Sequence, residues 1–203
     1  MKEIILKDFK LQDKEVLNIY PYGSHVYKTN NEKSDRDFIV ILKDGAKERD
    51  ELSSSYNNLN VTTYSEASFL EKLNLHRISA LECFFLPKEL MLKSTIEFSF
   101  KVKKTILWES VLEKSHKDIS KAKKKMGEDS LTAKKSFFHS LRILDFATQI
   151  TKHGTIVDYS SSNDIWEDLI TNPSESWDDY QSFQDLYEDR RAFFSDANEW
   201  RSR

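Results

Sequence analysis

The chain has 203 residues, of which 38% are hydrophobic and 32% charged, and its formal net charge is -3 with a pI near 6.0. This length suits one ordinary domain or two small ones, and 13 Phe, 8 Tyr and 4 Trp supply material for a core. The net charge excludes a globally basic nucleic-acid binder, and the single cysteine excludes a disulfide framework. The sequence also lacks the apolar run of about 18 residues that a membrane span needs. We therefore expect a cytoplasmic protein with no membrane partner.

The first part of the chain predicts strands separated by turns. Residues 16–24 begin apolar and end in Pro-Tyr-Gly-Ser, which predicts a strand running into a tight turn. The unbroken apolar run at 37–42 predicts a buried strand, and the β-branched residues at 59–64 predict a third. The polar segment 46–58 predicts a surface loop or short helix. Ser65 then predicts a helix N-cap.

The second part of the chain predicts helices. Helical spacing and stop residues favour helices over 78–86, 96–126, 130–152, 163–170 and 175–194, with a short extended piece at 155–159. The predicted fold class is α+β. A mixed β-sheet with flanking helices occupies residues 1–92, and an α-helical domain occupies residues 93–203.

Charge is distributed unevenly along the helical part. Residues 101–125 hold nine lysines against three acidic residues, a local net of +6, and residues 158–203 hold twelve acidic residues against four arginines, a local net of -8. A basic stretch attracts phosphates or RNA, but it is also typical of a solvated helix face. We favour the solvated face, and the acidic segment argues against extended nucleic-acid wrapping.

The chemically informative segment is Gly23-Ser24, then ten residues, then Asp35-Arg36-Asp37 at the start of the apolar strand. Two carboxylates separated by one residue on an extended chain project from the same face, where they repel each other unless a cation lies between them. Mg²⁺ or Mn²⁺ suits such oxygen ligands. A Gly-Ser turn offers backbone N–H groups and a hydroxyl to phosphate oxygens. The alternative is a polar turn followed by capping aspartates before a core strand.

These residues resemble the motif of the nucleotidyltransferase superfamily typified by DNA polymerase β, in which Gly-Ser precedes Asp-x-Asp by about ten residues. The segments Gly23 to Thr29 and Ser34 to Asp37 also resemble the RlaP-like group of predicted nucleotidyltransferases, and looser likenesses extend over most of residues 16–195. The resemblance implies a nucleotidyltransferase-type sheet. It also implies transfer of a nucleoside monophosphate from a nucleoside triphosphate, for which we expect ATP, to an RNA end, protein or small-molecule hydroxyl, with release of pyrophosphate.

The resemblance assigns roles residue by residue. Asp35 and Asp37 are the expected catalytic metal ligands, and Gly23 and Ser24 the expected phosphate-binding turn. Tyr27 is a weaker candidate for base stacking and is otherwise a packing residue. Lys28 stands where the group has glycine, so it either reshapes the turn or places a cation beside the triphosphate.

A third carboxylate is the uncertain part of the predicted site. Most superfamily members carry one on the next strand, but residues 60–64 contain none. Glu82 is our candidate because it lies in an apolar run, where an unpaired carboxylate is costly; a partly exposed helix glutamate or a core salt bridge is the alternative. Glu66 fits better as a residue of the first helical turn.

In the helical domain, Lys135, His139 and Arg142 fall at i, i+4 and i+7 on one helix face. Three cation-capable groups in line predict contacts to the triphosphate across a cleft facing the first domain. The alternative is that these are ordinary surface basic residues beside a buried histidine. If the helix face is shifted by one residue, Lys134 takes the place of Lys135.

Three functions therefore compete at this stage. The first is an active nucleotidyltransferase that binds a nucleoside triphosphate. The second is a catalytically weak binding module of the same fold, motivated by Lys28 and the missing strand acid. The third is a toxin–antitoxin or phage counter-defence protein that acts through a protein partner, motivated by the acidic C-terminal segment.

Overall fold

The computed structural model describes residues 1–45 and 50–196. The chain divides into two compact units, Met1–Lys101 and Val102–Arg203. Among the described residues, no helix combines the length and the apolar character required to cross a membrane.

The first unit is built on a five-stranded mixed sheet. Its strands are β1 (Val16–Tyr22), β2 (Arg36–Leu42), β3 (Leu52–Tyr56), β4 (Leu59–Ser65) and β5 (Lys93–Ser94). They are ordered β3-β4-β2-β1-β5; β2 and β4 run parallel, and the other neighbouring pairs run antiparallel. The predicted α+β class, with a mixed sheet followed by helices, is confirmed.

Helices cover both faces of this sheet, which explains why β2 is an unbroken apolar run. The helices are α1 (Lys2–Asp8), the single-turn α2 (Ser24–Tyr27), α3 (Glu66–Asn74) and α4 (Ile78–Phe84). On one face α1 joins a buried cluster made of Ile5, Leu6, Leu11, Val16, Ile19, Phe38, Val40, Leu42, Leu59 and Val61. On the other face Tyr20 stacks on Phe69 of α3, with 5.8 Å between ring centroids. As predicted, Ser65 caps α3 by accepting a hydrogen bond from the Ser68 backbone N–H at 3.1 Å.

Strand β3 corrects the prediction of a loop or short helix over 46–58, of which residues 46–49 lie outside the described part of the chain. β3 and β4 form an antiparallel hairpin. Asn57 and Asn58 join them with φ of 48° and 58°, the left-handed pair that a type I′ turn requires. The strand carries no apolar alternation because it is an exposed sheet edge with three successive serines.

The segment 96–103 corrects a second prediction, because it is not helical. Asn18 is fully buried in β1, and its Oδ1 accepts hydrogen bonds from the backbone N–H groups of Thr95 at 2.9 Å and Ile96 at 3.2 Å. Phe98 packs on Phe69, with 4.9 Å between ring centroids. These contacts hold the segment beside the sheet, so the first unit extends beyond residue 92.

The second unit is helical. Its helices are α5 (Lys104–Lys125), α6 (Ser130–His153), α7 (Asn163–Thr171) and α8 (Gln181–Asp196), with a 3₁₀ turn at Trp177–Tyr180. α6 packs against the other three helices and ends at Gly154, whose φ is +74°. The extended piece expected at 155–159 is not a strand; Gln149 binds its backbone N–H groups at Val157 and Asp158, both at 2.9 Å.

Candidate active site

The two aspartates predicted to bind metal lie at the beginning of β2. Asp37 is the second residue of the strand, and Asp35 immediately precedes it. Their spacing places both side chains on one face of the sheet, the face that carries the buried Ile39 further along the strand. Asp35 is exposed and Asp37 is half-buried, so both carboxylates remain accessible to small ligands.

Four strands meet at the level of Asp37. Asp37 is opposite Tyr22 of β1 and Asn60 of β4, and Asn60 is opposite Ser55 of β3. Residues opposite each other on neighbouring strands project from the same face of a sheet. The pairing of the strands therefore places an amide and a hydroxyl in one row with the carboxylate.

The Gly-Ser bend lies against this carboxylate. Gly23 directly follows β1, and a Cβ atom at this position would be 2.4 Å from Asp37 Oδ2. Its backbone angles, φ 75° and ψ -154°, fall in a region that only glycine enters readily. Both the space and the backbone therefore require glycine here, and the structure brings Gly23 and Asp37 together.

Asn60 connects the two aspartates. Its Nδ2 donates a hydrogen bond to Asp37 Oδ1 at 2.9 Å and a longer one to Asp35 Oδ2 at 3.5 Å. On its other side, Asn60 Oδ1 accepts a hydrogen bond from Ser55 Oγ at 2.6 Å. Asn60 was not predicted, because the superfamily resemblance implies an acid on this strand and asparagine does not match it.

The remaining predicted residues of the bend follow in the single turn of α2. Ser24 is half-buried, whereas Tyr27 is 1% exposed and its ring meets that of Tyr22 edge-on at 6.2 Å. Lys28 is exposed and ends the turn in the left-handed conformation, with φ 62° and ψ 31°. The lysine thus keeps a backbone shape that glycine adopts more easily, and it does not straighten the turn.

Glu82 of α4 contacts Tyr27 of the single-turn helix α2. It is 2% exposed in α4, and its carboxylate accepts a hydrogen bond from the Tyr27 hydroxyl. In the described part of the chain, no three His, Cys, Asp or Glu side chains form a group that could hold a metal ion. The structure therefore gives Glu82 a hydrogen bond to Tyr27, and Glu82 does not form a three-residue metal-binding group with Asp35 and Asp37.

The family comparison agrees with this geometry. Residues 2–107, about half of the chain, match the model of the nucleotidyltransferase domain. The chain belongs to this family. The nucleotidyltransferase match covers every strand of the sheet and the whole Gly-Ser and Asp-x-Asp segment. Nucleotidyl transfer in general is therefore its activity.

Solved structures resemble the nucleotidyltransferase at low identity. A nucleotidyltransferase-like protein from Exiguobacterium sibiricum is 12% identical with a TM-score of 0.38, and the match covers 100% of this chain and 80% of that chain. Spectinomycin adenyltransferase AAD(9) from Enterococcus faecialis, solved with ATP and spectinomycin, is 11% identical with a TM-score of 0.46, covering 98% and 95%. No curated protein matches the sequence.

In the helical unit of the nucleotidyltransferase, the three predicted basic residues differ in exposure. Lys135 is exposed, His139 is half-buried, and Arg142 is 2% exposed. The Arg142 guanidinium lies over the rings of Phe138 and Phe146, 5.7 and 5.4 Å from their centroids. Lys134, the substitute candidate, is buried and donates to the Asn172 carbonyl oxygen at 2.5 Å.

His139 lies in a positive environment. Burial lowers its pKa well below the usual 6.5, and the nearby cations Arg142, Lys114, Lys121 and Lys135 lower the pKa further. The imidazole is therefore neutral at neutral pH. On α5, by contrast, lysines form ion pairs along the helix, such as Lys114 with Asp118 at 2.6 Å, which favours the solvated-face interpretation of that basic stretch.

Proposed function

We propose that the chain transfers a nucleoside monophosphate from a nucleoside triphosphate, ATP in the first instance, to an acceptor hydroxyl, and that pyrophosphate leaves. The observation that supports this most directly is the packing of Asp37 against Gly23, which unites the two halves of the motif in space. The family match supports the reaction type.

The bend supplies the triphosphate contacts in this proposal. Gly23 has no side chain to keep phosphate oxygens away from the backbone, and Ser24 adds a hydroxyl beside it. Lys28, exposed four residues further on, adds a positive charge. Together these groups would hold the β- and γ-phosphates, which fixes the direction in which pyrophosphate leaves.

The donor set near Asp37 fits a divalent cation. Two accessible carboxylates and a neighbouring amide are oxygen-bearing side chains, and hard cations such as Mg²⁺ and Mn²⁺ bind oxygen ligands. Asp35 and Asp37 would hold the ion. Bound Mg²⁺ would supply charge neutralisation and help align the acceptor oxygen with the α-phosphate. The carboxylates themselves would receive the acceptor hydroxyl by hydrogen bonding.

We further propose that the acceptor is an RNA end or a protein hydroxyl and that Lys135 of the helical unit contacts the nucleotide or acceptor phosphates. Lys135 is exposed, as a phosphate contact requires, whereas Arg142 is 2% exposed and His139 is half-buried and neutral, so we do not assign a phosphate contact to these two. A cytoplasmic location suits the single cysteine, Cys83, which is buried and free.

A transfer assay tests the proposal. The full chain is incubated with Mg²⁺ and ATP labelled at the α-phosphate, with pooled RNA or protein as acceptor, and both label transfer and pyrophosphate release are measured. We expect Asp35→Ala combined with Asp37→Ala to abolish both signals. Glu32→Ala is the matched control, because it removes an exposed carboxylate from the same loop. A double variant as active as the wild type would disprove the site.

A second candidate function is a nucleotide-binding module with weak catalysis. It is favoured by the presence of only two carboxylates at the site within the described residues. Calorimetry distinguishes the two: the module would bind ATP in the presence of Mg²⁺ with no label transferred to any acceptor offered. The transferase would bind ATP and also release pyrophosphate.

A further inference from the structure

We propose that Asn60 is the third residue of the cation site, and that its carboxamide has two working orientations. Without a cation, its NH₂ group donates to the two aspartates; with a divalent cation, its Oδ1 turns inward and becomes a ligand. This inference rests on the proposed function, because it assumes that Asp35 and Asp37 bind the cation.

The contacts of Asn60 explain the cation-free state. Asp35 and Asp37 are like charges on one face, and their repulsion needs compensation when no cation is bound. The Asn60 NH₂ group has two N–H donors, which suffices for both carboxylates. The observed distances, 2.9 Å to Asp37 Oδ1 and 3.5 Å to Asp35 Oδ2, place it between them.

The partner on the other side of Asn60 permits the second orientation. Ser55 Oγ lies 2.6 Å from Asn60 Oδ1. A serine hydroxyl both donates and accepts, so a half-turn of the carboxamide leaves Asn60 Nδ2 bonded to Ser55 Oγ. The same half-turn directs Oδ1 towards the carboxylates, and asparagine side-chain oxygens are ordinary ligands of hard cations.

The position of Asn60 also sets the charge of the site. It is opposite Asp37 on the parallel neighbour β4, so its side chain projects from the same face of the sheet as the carboxylate. Because an amide is neutral, the two aspartates give the site two negative charges, which one divalent cation balances. An aspartate at position 60 would add a third negative charge to the same row.

Binding of Mn²⁺ alone to the full chain tests this role by calorimetry and by thermal unfolding in EDTA and in Mn²⁺. Asn60→Leu should raise the Mn²⁺ Kd by at least about 10-fold, the scale expected for loss of a group that supports a metal site. Asn60→Asp should lower the melting temperature in EDTA, lower the Mn²⁺ Kd and enlarge the Mn²⁺-induced rise in melting temperature. Ser55→Ala should raise the Kd, whereas Ser53→Ala should not, because Ser53 bonds to Thr62 instead.

The outcomes separate this inference from the proposed function. Unchanged Mn²⁺ affinity in both Asn60 variants, with binding lost in Asp37→Ala, overturns the role of Asn60 and leaves the aspartate site standing. Unchanged Mn²⁺ affinity in the Asp35→Ala, Asp37→Ala double variant overturns the proposed site itself. If Asn60→Leu fails to fold by circular dichroism, Asn60→Asp decides the question, because aspartate preserves the side-chain shape.

Discussion

Replacing Gly23 with alanine should damage the site far more than it damages the fold. The backbone at φ 75° and ψ -154° is strained for any residue with a Cβ, at a cost of about 1–3 kcal/mol. In addition, the new Cβ would lie 2.4 Å from Asp37 Oδ2, whereas ordinary contact begins at 3.4 Å. The carboxylate must therefore move by about 1 Å, and a displacement of that size can reduce a catalysed rate by about 100-fold.

Two measurements on Gly23→Ala separate these effects. Urea unfolding should show a loss of about 1–3 kcal/mol in the free energy of unfolding, and the initial rate of label transfer should fall by about 100-fold. Gly154→Ala is the control: its φ is +74°, but nothing lies within 4 Å of its Cβ position. This control should lose stability and keep its transfer rate. Equal transfer rates in Gly23→Ala and wild type would refute the role of the close approach between Gly23 and Asp37.

Variants at three further residues test the surroundings of the site and the helical unit. Lys28→Gly should change the free energy of unfolding by less than about 1 kcal/mol, because relief of the left-handed backbone offsets the flexibility of glycine. Its ATP Kd in calorimetry should nevertheless rise about 10-fold through loss of a charged contact, and an unchanged Kd would remove Lys28 from the site. Glu82→Ala should lower the free energy of unfolding by about 1–3 kcal/mol, because the buried Tyr27 hydroxyl loses its acceptor. Glu82→Gln should recover most of that loss in urea titrations; a well-folded Glu82→Gln chain without transferase activity would instead identify Glu82 as the base. His139 is neutral in the folded chain, where its pKa is lowered, and it binds a proton more readily in the unfolded chain. Its contribution to the free energy of unfolding is therefore present above pH 6.5 and is lost as the pH falls below that value towards the lowered pKa of the folded state. His139→Gln should remove up to about 1.4 kcal/mol per pH unit of that dependence in unfolding titrations, and identical pH profiles for both chains would contradict the lowered pKa.

The central part of the site was predictable because short stretches of sequence determine how its residues are arranged. The alternation along β2 fixes which side chains share a face, so Asp35 and Asp37 had to project together. The bend at Gly23 is similarly visible as a break after an apolar strand. What the sequence does not contain is the distance between these elements, which arises only from the pairing of β1 with β2.

The errors have physical causes that act over long sequence separations. Residues 96–103 were expected to be helical. However, Asn18 Oδ1 accepts hydrogen bonds from the backbone N–H groups of Thr95 and Ile96, which lie 77 and 78 residues away in sequence. Glu82 lies in an apolar run and is buried, but its partner Tyr27 lies 55 residues earlier, beyond the reach of local sequence patterns. β3 had a readable signal, since consecutive asparagines at 57 and 58 are typical of a hairpin turn.

The hairpin formed by β3 and β4 connects the candidate active site to the edge of the sheet. The Asn58 carbonyl accepts a hydrogen bond from the Arg36 backbone N–H at 2.8 Å, so the turn anchors the residue between the two aspartates. Ser55 holds Asn60 from the same hairpin. Fraying of this outer ribbon would thus loosen both carboxylates at once, and amide hydrogen exchange in β3 and its turn should slow when an ion is held.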